Sequence, residues 1–217
     1  MDISLFDKLL SIPKTIYFNM KVLPFSQAVK FPFFVYHKTK LVDLKGKWVI
    51  DAPLKRFMIK FGMYGAGTCL KDGSTVEIRG IIIFHGTCAF GGNCQLCVTK
   101  NGTLEIANHV TFTSECHVVC NKNISIGEDT IISWGTQIMD SDLHELIENG
   151  TRINEDKAVV IGKHCWICSN AVLHKGTELP DNTIIAQGAM INCVLDESCC
   201  IYTGLPVRKL KSNVTWQ

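Results

Sequence analysis

The stretch VVIGKHCWICSNAVLHKGTELPDNTIIAQGAMI, residues 159 to 191, decides the fold because its side chains repeat every six residues. A large aliphatic residue stands at every sixth place from Ile161 to Ile191. A small residue follows four places after each of the first five, from Cys165 to Ala189. A six-residue period fits neither an α-helix nor a simple alternating strand, but it is typical of a parallel β-helix in which three hexapeptides form one triangular coil. We therefore predict an all-β fold of such coils.

The same ladder extends backwards to Val76, with interruptions. If Cys94, Cys116 and Ile138 hold equivalent places in successive coils, the extra residues after each of them leave the prism at one corner. The third interruption is the longest. Because loops that leave a regular scaffold often carry binding and catalysis, residues 139–160 are the predicted catalytic loop.

The chain divides into three predicted parts. Residues 1–45 depart from the ladder and are predicted to cap the open end of the β-helix, whose first strand edges must be covered. The β-helix domain is predicted for residues 46–205, and residues 206–217 form a C-terminal basic tail.

The predicted cap is rich in apolar residues. Asp2–Leu10 is predicted to form a short amphipathic helix, whereas the stretch Tyr17–Tyr36 contains prolines and is predicted to be extended. A weak membrane-surface contact through Phe31, Phe33 and Phe34 is a second role for this segment.

Composition limits the class of protein. The 217 residues are 47% hydrophobic and 19% charged, which is enough for a substantial core. The net charge of +2 gives no extended basic field, so we expect no nucleic-acid partner. The N-terminus shows neither a secretion signal nor a long apolar span, and a cytoplasmic location is predicted.

Cysteine and histidine raise the question of a metal. Because the predicted compartment is reducing, the eleven cysteines are expected to be free thiols with packing roles. The pairs Cys94/Cys97 and Cys165/Cys168 have the spacing of zinc knuckles, but no loop pattern joins them into a four-ligand cage, and we predict no metal. A zinc hydratase is a minor alternative, suggested by three histidines at 85, 109 and 117.

One histidine stands apart because the ladder runs directly into it. The stretch SWGTQIMDSDLH, residues 133 to 144, carries the repeat into the long loop and ends on His144. An imidazole is the commonest general base for a hydroxyl at neutral pH, and a nearby carboxylate can hold its second nitrogen. Asp140 and Asp142 are both candidates for that orienting role. The alternative is a solvated loop histidine beside turn-forming aspartates.

Three stretches together resemble a known family. They are SWGTQIMDSDLH at 133 to 144, the repeat at 159 to 191, and YTGLPVRKLK at 202 to 211. The region from Val76 to Lys211 resembles the left-handed β-helix, hexapeptide-repeat acyltransferases, in particular the maltose, galactoside and capsular-polysaccharide O-acetyltransferases. The resemblance implies a left-handed parallel β-helix, acetyl-CoA as co-substrate, and a homotrimer with CoA sites between subunits.

The resemblance also implies roles for individual residues. His144 matches the family's catalytic base, with Asp142 as its tentative partner, and the acceptor hydroxyl is expected to attack acetyl-CoA directly. Trp166 matches a tryptophan beside the active site. Ser169 matches the position whose backbone N–H faces the thioester oxygen, the electrostatic role of an oxyanion hole.

Further matches concern the CoA molecule. Ala186, Gln187 and Gly188 match the edge along which the pantetheine arm lies, and Arg208 and Lys211 match basic residues near the CoA phosphates. Gln187 departs from the small residue usual in the family, so the groove is expected to be narrower there.

The leading hypothesis is an acetyl-CoA-dependent O-acetyltransferase acting on a sugar hydroxyl, with a surface-polysaccharide precursor as one acceptor class. Two alternatives stay open. One is an N-acetyltransferase for a nucleotide-linked amino sugar, and the other is a non-catalytic trimeric β-helix scaffold. No motif in the sequence specifies the acceptor.

Overall fold

The computed structural model describes residues 4–64 and 73–217, and its strands form three mainly parallel sheets that wind around one axis. Each of the first six coils contributes one strand to sheet A, one to sheet B and one to sheet C, in that order along the chain, and the seventh contributes only to sheets A and B. We call the turns between sheets the AB, BC and CA corners. The strands of the first four coils are β1 (Phe33–Val35), β2 (Lys40–Asp43), β3 (Lys47–Ile50); β4 (Ile59–Tyr64), β5 (Thr75–Ile78), β6 (Ile81–Phe84); β7 (Cys88–Gly91), β8 (Gln95–Val98), β9 (Thr103–Ile106); and β10 (Val110–Phe112), β11 (His117–Cys120), β12 (Asn123–Ile126).

The later coils have shorter strands and one long excursion. A small antiparallel hairpin, formed by two strands of their own sheet, interrupts the fifth coil. The last strand returns antiparallel to its predecessor and closes sheet A. The strands are β13 (Ile131–Ile132), β14 (Gln137–Met139), β15 (Ile147–Glu148), β16 (Thr151–Arg152), β17 (Val159–Ile161); β18 (Trp166–Ile167), β19 (Val172–Leu173), β20 (Glu178–Leu179); β21 (Ile184–Ile185), β22 (Met190–Ile191); and β23 (Cys200–Thr203), β24 (Arg208–Ser212).

The core is a set of inward-facing columns, one for each sheet. In sheet A the column begins with aromatic rings: Phe61 stacks on Phe90 with centroids 4.9 Å apart, and Phe90 stacks on Phe112 at 4.5 Å. The column continues through Ile132 and later aliphatic residues, all fully buried. Each coil therefore buries apolar surface against the next, which is how a solenoid is stabilised.

The six-residue ladder is confirmed from Ile126 to Ile191, but from Ile82 to Cys116 its predicted places lie two residues too early. Val118 pairs with Leu96 and Ile138, so these three residues share the large aliphatic place of sheet B. Cys116 lies beside Thr136, and Cys94 lies one coil below Cys116. Both thiols therefore occupy the place of small residues just after the AB corner, because the side chain there turns into the narrow angle of the prism.

The predicted cap contains a longer helix than expected. Helix α1 (Leu5–Val22) begins at Ser4, whose Oγ accepts from the amide of Asp7, and it is followed by the short α2 (Phe25–Ala28). The prediction of an extended stretch from residue 17 was therefore wrong for residues 17–22 and 25–28. Phe18 is fully buried, and its ring lies 5.1 Å from the rings of both Phe33 and Trp48. Tertiary packing has overridden the helix-breaking tendency of Pro13 inside α1.

The first coil begins earlier than the predicted domain boundary. Strands β1 and β2 lie within residues 1–45 and are the first strands of sheets A and B, so α1 and α2 alone precede the coils. Phe33 and Phe34 are buried, so they do not offer a surface to a membrane as one expectation required. None of the helices in the described ranges combines the length and apolar character needed to cross a bilayer.

Candidate active site

The long loop leaves the prism at the BC corner of the fifth coil. Residues 140–158 run between β14 and β17 and include the β15–β16 hairpin. The next coil passes the same corner at residues 174–177, between β19 and β20. Side chains from these two segments therefore lie close together, although they are far apart in sequence.

Asp140 anchors the start of the loop. Its carboxylate is fully buried and accepts hydrogen bonds from the backbone amides of Asn121 at 2.7 Å and Lys122 at 2.8 Å, on the preceding coil. A buried carboxylate that is satisfied in this way holds the backbone in place. Asp140 therefore faces the previous coil, and this geometry does not fit the alternative in which it orients His144.

Asp142 is the centre of a charged cluster. Its Oδ2 accepts from Lys175 Nζ at 2.5 Å and from Asn154 Nδ2 at 2.7 Å, and its Oδ1 lies 3.6 Å from His174 Nε2. The hydrogen bond from Lys175, followed by that from Asn154, holds the pKa of Asp142 below its usual value. The carboxylate is thus ionised, and the histidine that it approaches is His174.

His144 is exposed, and its ring makes no hydrogen bond or ion pair within the described ranges. Its backbone is nevertheless tied down, because His144 O accepts from Asn154 Nδ2 at 2.8 Å. Asn154 Oδ1 in turn accepts from the amide of Leu146 at 2.8 Å. The nearly buried Asn154 therefore connects Asp142, His144 and Leu146. The imidazole stays free on a backbone that is fixed on both sides.

Trp166 lies on β18, on the outer face of sheet A. Its ring is 38% exposed, and its Nε1 donates to Ser133 Oγ at 3.0 Å, which fixes the orientation of the indole. The AB corner follows directly after β18. The His144 loop leaves the BC corner, so sheet B separates the two residues within one chain.

Four of the predicted CoA residues come together at the AB corner. Ser169 lies in the turn of the sixth coil, and Gly188 in the turn of the seventh donates its amide to Ser169 O at 3.0 Å. The amide of Ser169 itself has no acceptor among the described residues. Gly188 has a φ of +69°, and a side chain there would meet nothing within 4 Å, so the backbone lies open to an approaching ligand. Ala186 and Gln187 lie in the same turn.

Arg208 and Lys211 project from β24, the last strand of sheet A. Arg208 lies opposite Thr203 at the AB corner, whereas Lys211 lies opposite Ile201 at the far end of the strand. Both are exposed. Only Arg208 therefore lies near the Ser169 and Gly188 turns, and Lys211 lies toward the CA corner.

One aromatic residue near this surface was missed by the sequence analysis. Trp216 stacks on His164 with ring centroids 4.4 Å apart, donates from Nε1 to His164 O at 2.9 Å, and lies 6.2 Å from Trp166. The C-terminal segment therefore returns across sheet A beside Trp166. No periodic signal marks such a contact.

Some of the other cysteines and histidines have structural roles. Burial raises the pKa of Cys165 to about 12, and it also raises the pKa of Cys120, so these thiols stay protonated and unreactive. His85 contacts Asp51 and Glu105. No group of three metal-ligating side chains occurs within residues 4–64 and 73–217.

Comparisons with known proteins bear on this site. No family model matches the chain. The chain is 31% identical over 112 residues to an uncharacterized 24.8 kDa protein in the cps region of Klebsiella pneumoniae, which covers 52% of this chain and 50% of that protein. It is 29% identical over 143 residues to the polysialic acid O-acetyltransferase of Neisseria meningitidis, which covers 65% of this chain and 61% of that protein. The predicted resemblance to sugar O-acetyltransferases is confirmed. The chain spans only between half and two thirds of these two relatives.

Solved structures give the fold. The structure of the polySia-specific acetyltransferase NeuO aligns with this chain at a TM-score of 0.56 and 20% sequence identity, and the alignment covers 83% of this chain and 89% of NeuO. The polysialic acid O-acetyltransferase OatWY has a TM-score of 0.57 and 21% identity, with 83% and 88% coverage. The predicted left-handed parallel β-helix is confirmed.

Proposed function

We propose that this protein is an acetyl-CoA-dependent O-acetyltransferase whose acceptor is a sugar hydroxyl of a surface polysaccharide or its precursor. The observation that carries the proposal is the free imidazole of His144 on a fixed backbone, because a base must have an open nitrogen in a defined place. The similarity to a polysialic acid O-acetyltransferase supports the acceptor class.

His144 acts as the general base in this proposal. A ring nitrogen removes the proton of the acceptor hydroxyl while the oxygen attacks the thioester carbonyl of acetyl-CoA. The imidazolium then returns the proton to the leaving thiolate of CoA. No acyl-enzyme is expected, because the resemblance assigns no cysteine as a nucleophile, and Cys120 and Cys165 are thiols whose pKa is raised by burial.

Asp142 is assigned a positioning role. Its carboxylate holds Asn154, which holds the carbonyl of His144, so its influence on the base passes through the loop backbone. Lys175 supplies the positive charge that keeps Asp142 ionised. This arrangement resembles a catalytic triad in its purpose but not in its contacts, because the imidazole itself is not held.

The AB corner fits the acetyl-CoA molecule. The free amide of Ser169 supplies a donor for the oxyanion that develops on the thioester oxygen, and the open backbone at Gly188 leaves room for the pantetheine arm. Arg208 lies at the same corner, where its guanidinium can pair with a phosphate. Lys211 lies at the other end of β24, toward the CA corner, and is given no role at this corner.

The complete site is proposed to need two chains. The strands of sheet B, with the residues beside them, span about 13 Å between the AB and BC corners, taking about 3.3 Å per residue. A thioester at Ser169 is therefore too far from His144 of the same chain. A homotrimer that places the BC corner of one subunit against the AB corner of the next brings the two groups together.

The first test is a thiol-release assay with acetyl-CoA and a panel of saccharides that includes polysialic acid, amino sugars and nucleotide sugars. His144→Ala is expected to lose about a hundredfold or more in kcat, the usual contribution of a general base. His117→Ala is the matched control, because His117 is a partly exposed histidine of β11 outside the site. If none of the saccharides in the panel supports thiol release, and CoA does not raise the melting temperature, the proposal is wrong.

A second test addresses the two-chain site. Co-expression of His144→Ala with Trp166→Ala chains gives mixed trimers, in which about a quarter of the sites combine an intact His144 with an intact Trp166 from its neighbour. Activity near a quarter of the wild-type value is expected, whereas each variant alone stays inactive. If the site lies within one chain, the mixture stays as inactive as its components.

A further inference from the structure

Helix α1 presents an entirely apolar face away from the prism. Its outward side chains are between 41% and 74% exposed, and they follow the spacing of one helical face: Leu5, Phe6, Leu9, Ile12, Ile16 and Met20. We call these six residues the α1 face. Phe25 on α2 is 74% exposed and adds to it. Soluble monomers rarely expose an apolar patch of this extent without a function.

The orientation of α1 is fixed by its polar side. The Oγ of Ser11 accepts from the amide of His37 at 3.0 Å. The Thr15 hydroxyl hydrogen-bonds to the backbone N–H and C=O of Val35, and the Asn19 amide does the same for Phe33. These contacts satisfy the free backbone edge of β1, which would otherwise be left unpaired at the end of the sheet. The helix is therefore amphipathic with its polar side inward. Rotating the helix so that its apolar side faced the prism would leave the backbone groups of that strand edge without partners.

The charges around the α1 face are basic. Residues 4 to 47 contain eight lysines, two aspartates and no glutamate or arginine, whereas the whole chain has a net charge of only +2. Lys21 borders the α1 face, and Lys40 and Lys47 are exposed on the neighbouring strands. One end of the prism is therefore cationic, and the remainder of the chain is acidic on balance. An apolar helical face with lysines around it is typical of helices that lie in the interface of an anionic bilayer.

A groove beside the helix extends the same chemistry. It has a volume of about 730 Å³ and runs between α1 and β2, lined by apolar residues that include Leu10, Pro13 and Tyr17 and by Lys38 and Lys40. An apolar floor with lysines at its rim suits a lipid headgroup and the first part of its chain. Pairing of two α1 faces would instead bring two lysine-rich ends together, and like charges across an interface are unfavourable.

We propose that the α1 face docks this protein on an anionic lipid bilayer, with α1 lying in the interface and the prism standing away from it. The bound molecule is the bilayer surface itself. The proposal does not depend on the transferase activity, because it concerns the opposite end of the coil stack.

The test is flotation of the full chain with vesicles of phosphatidylcholine alone and with vesicles that also contain phosphatidylglycerol. We expect at least about tenfold stronger binding to the anionic vesicles, and about a tenfold or greater loss in the double variant Phe6→Asp, Leu9→Asp. Val194→Asp is the matched control, because Val194 is 61% exposed on a later coil. Lys21→Glu is expected to weaken binding to the anionic vesicles only.

Both substituted side chains are exposed, so the double variant should keep its melting temperature and secondary structure. Two results would overturn the proposal. One is equal flotation of the wild type and the double variant with anionic vesicles. The other is a wild-type assembly whose mass, measured by light scattering, falls by half in the double variant without any vesicle binding, which would assign the α1 face to a second copy of the chain.

Discussion

Replacing Asn154 with alanine should disable the loop without unfolding the protein. The substitution removes three side-chain hydrogen bonds: one to Asp142 Oδ2, and two to the loop backbone at His144 O and Leu146 N, which are worth about 1 kcal/mol each. It keeps the backbone carbonyl of residue 154, which accepts from Lys175 Nζ at 3.0 Å, and it leaves Asp142 paired with Lys175. The loss of about 2 kcal/mol therefore falls on the placement of His144 and corresponds to about a thirtyfold fall in kcat/KM.

Two measurements check this expectation. The thiol-release assay should show the fall in kcat/KM, and hydrogen exchange at the Leu146 amide should accelerate by a similar factor. The melting temperature should change little, because residues 140–158 project from the prism. Asn101→Ala is the matched control, since Asn101 is exposed in a turn at the same BC corner two coils earlier.

We call the bonds from Asn154 to His144 O and Leu146 N the tether. An Asn154→Ala variant with wild-type kcat/KM and unchanged exchange at Leu146 would refute a role for the tether in catalysis. An equal loss in Asn101→Ala would show that the effect is not specific to the tether. Fast exchange at Leu146 with full activity would separate the two claims, because the tether would then exist without serving the base.

Three other predictions follow from single contacts. Phe18→Ala should destabilise the fold by about 3–5 kcal/mol in urea unfolding, because Phe18 is fully buried, whereas the exposed Phe6→Ala should stay within about 0.5 kcal/mol. Gly188→Val places a branched residue at a φ of +69°, with strain of about 1–2 kcal/mol, and should raise the KM for acetyl-CoA but not for the acceptor. Lys175 lowers the pKa of Asp142 in the folded protein, so the ionised carboxylate stabilises the fold above the unfolded pKa of about 3.9. This stabilisation is lost as the pH falls through the folded pKa. In Asp142→Asn the free energy of unfolding should therefore fall less steeply with acid, by less than about 1 kcal/mol, because the carboxylate is partly exposed.

The six-residue period of the sequence predicted the coils, but it could not predict which residues occupy equivalent places in the earlier coils. From Ile161 onward the hexapeptides follow without a break, and each residue lies where the period places it. Earlier turns differ in length, so counting by six moved Cys94 and Cys116 onto the large aliphatic place. A buried thiol fits either a small or an aliphatic place, and therefore its identity could not correct the count.

The candidate site could be proposed from the sequence where its residues are close together in the chain. His144 and the turns at Ser169 and Gly188 follow from the resemblance, and in the structure His144 is exposed, the backbone at Gly188 is open and Ser169 is buried. The tether was not predictable, because Asn154 and Lys175 meet Asp142 only after the loop has folded back over the following coil. A polar residue at the end of a loop carries no periodic signal.

Helix α1 shows a different limit. Its pattern is amphipathic, and amphipathic helices normally bury their apolar side. Here the buried side is mostly polar, because Ser11, Thr15 and Asn19 bond the backbone groups at the edge of the first coil, and Phe18 is the one apolar residue among them. The direction in which a helix faces depends on what it covers, and the sequence of the helix does not contain that information.

The two proposed surfaces together restrict the acceptor. Helix α1 covers the first coil, whereas the loop of His144 leaves the fifth, and successive coils are separated by about 4.8 Å. The candidate base therefore stands about 20 Å above the first coil, and α1 adds about 10 Å. A protein docked through the α1 face would hold its site about 30 Å from the bilayer, which is beyond the reach of the first sugar on a lipid anchor. An extended saccharide chain meets that distance, so vesicle-bound protein should acetylate sugars remote from the anchor and leave the proximal ones unmodified.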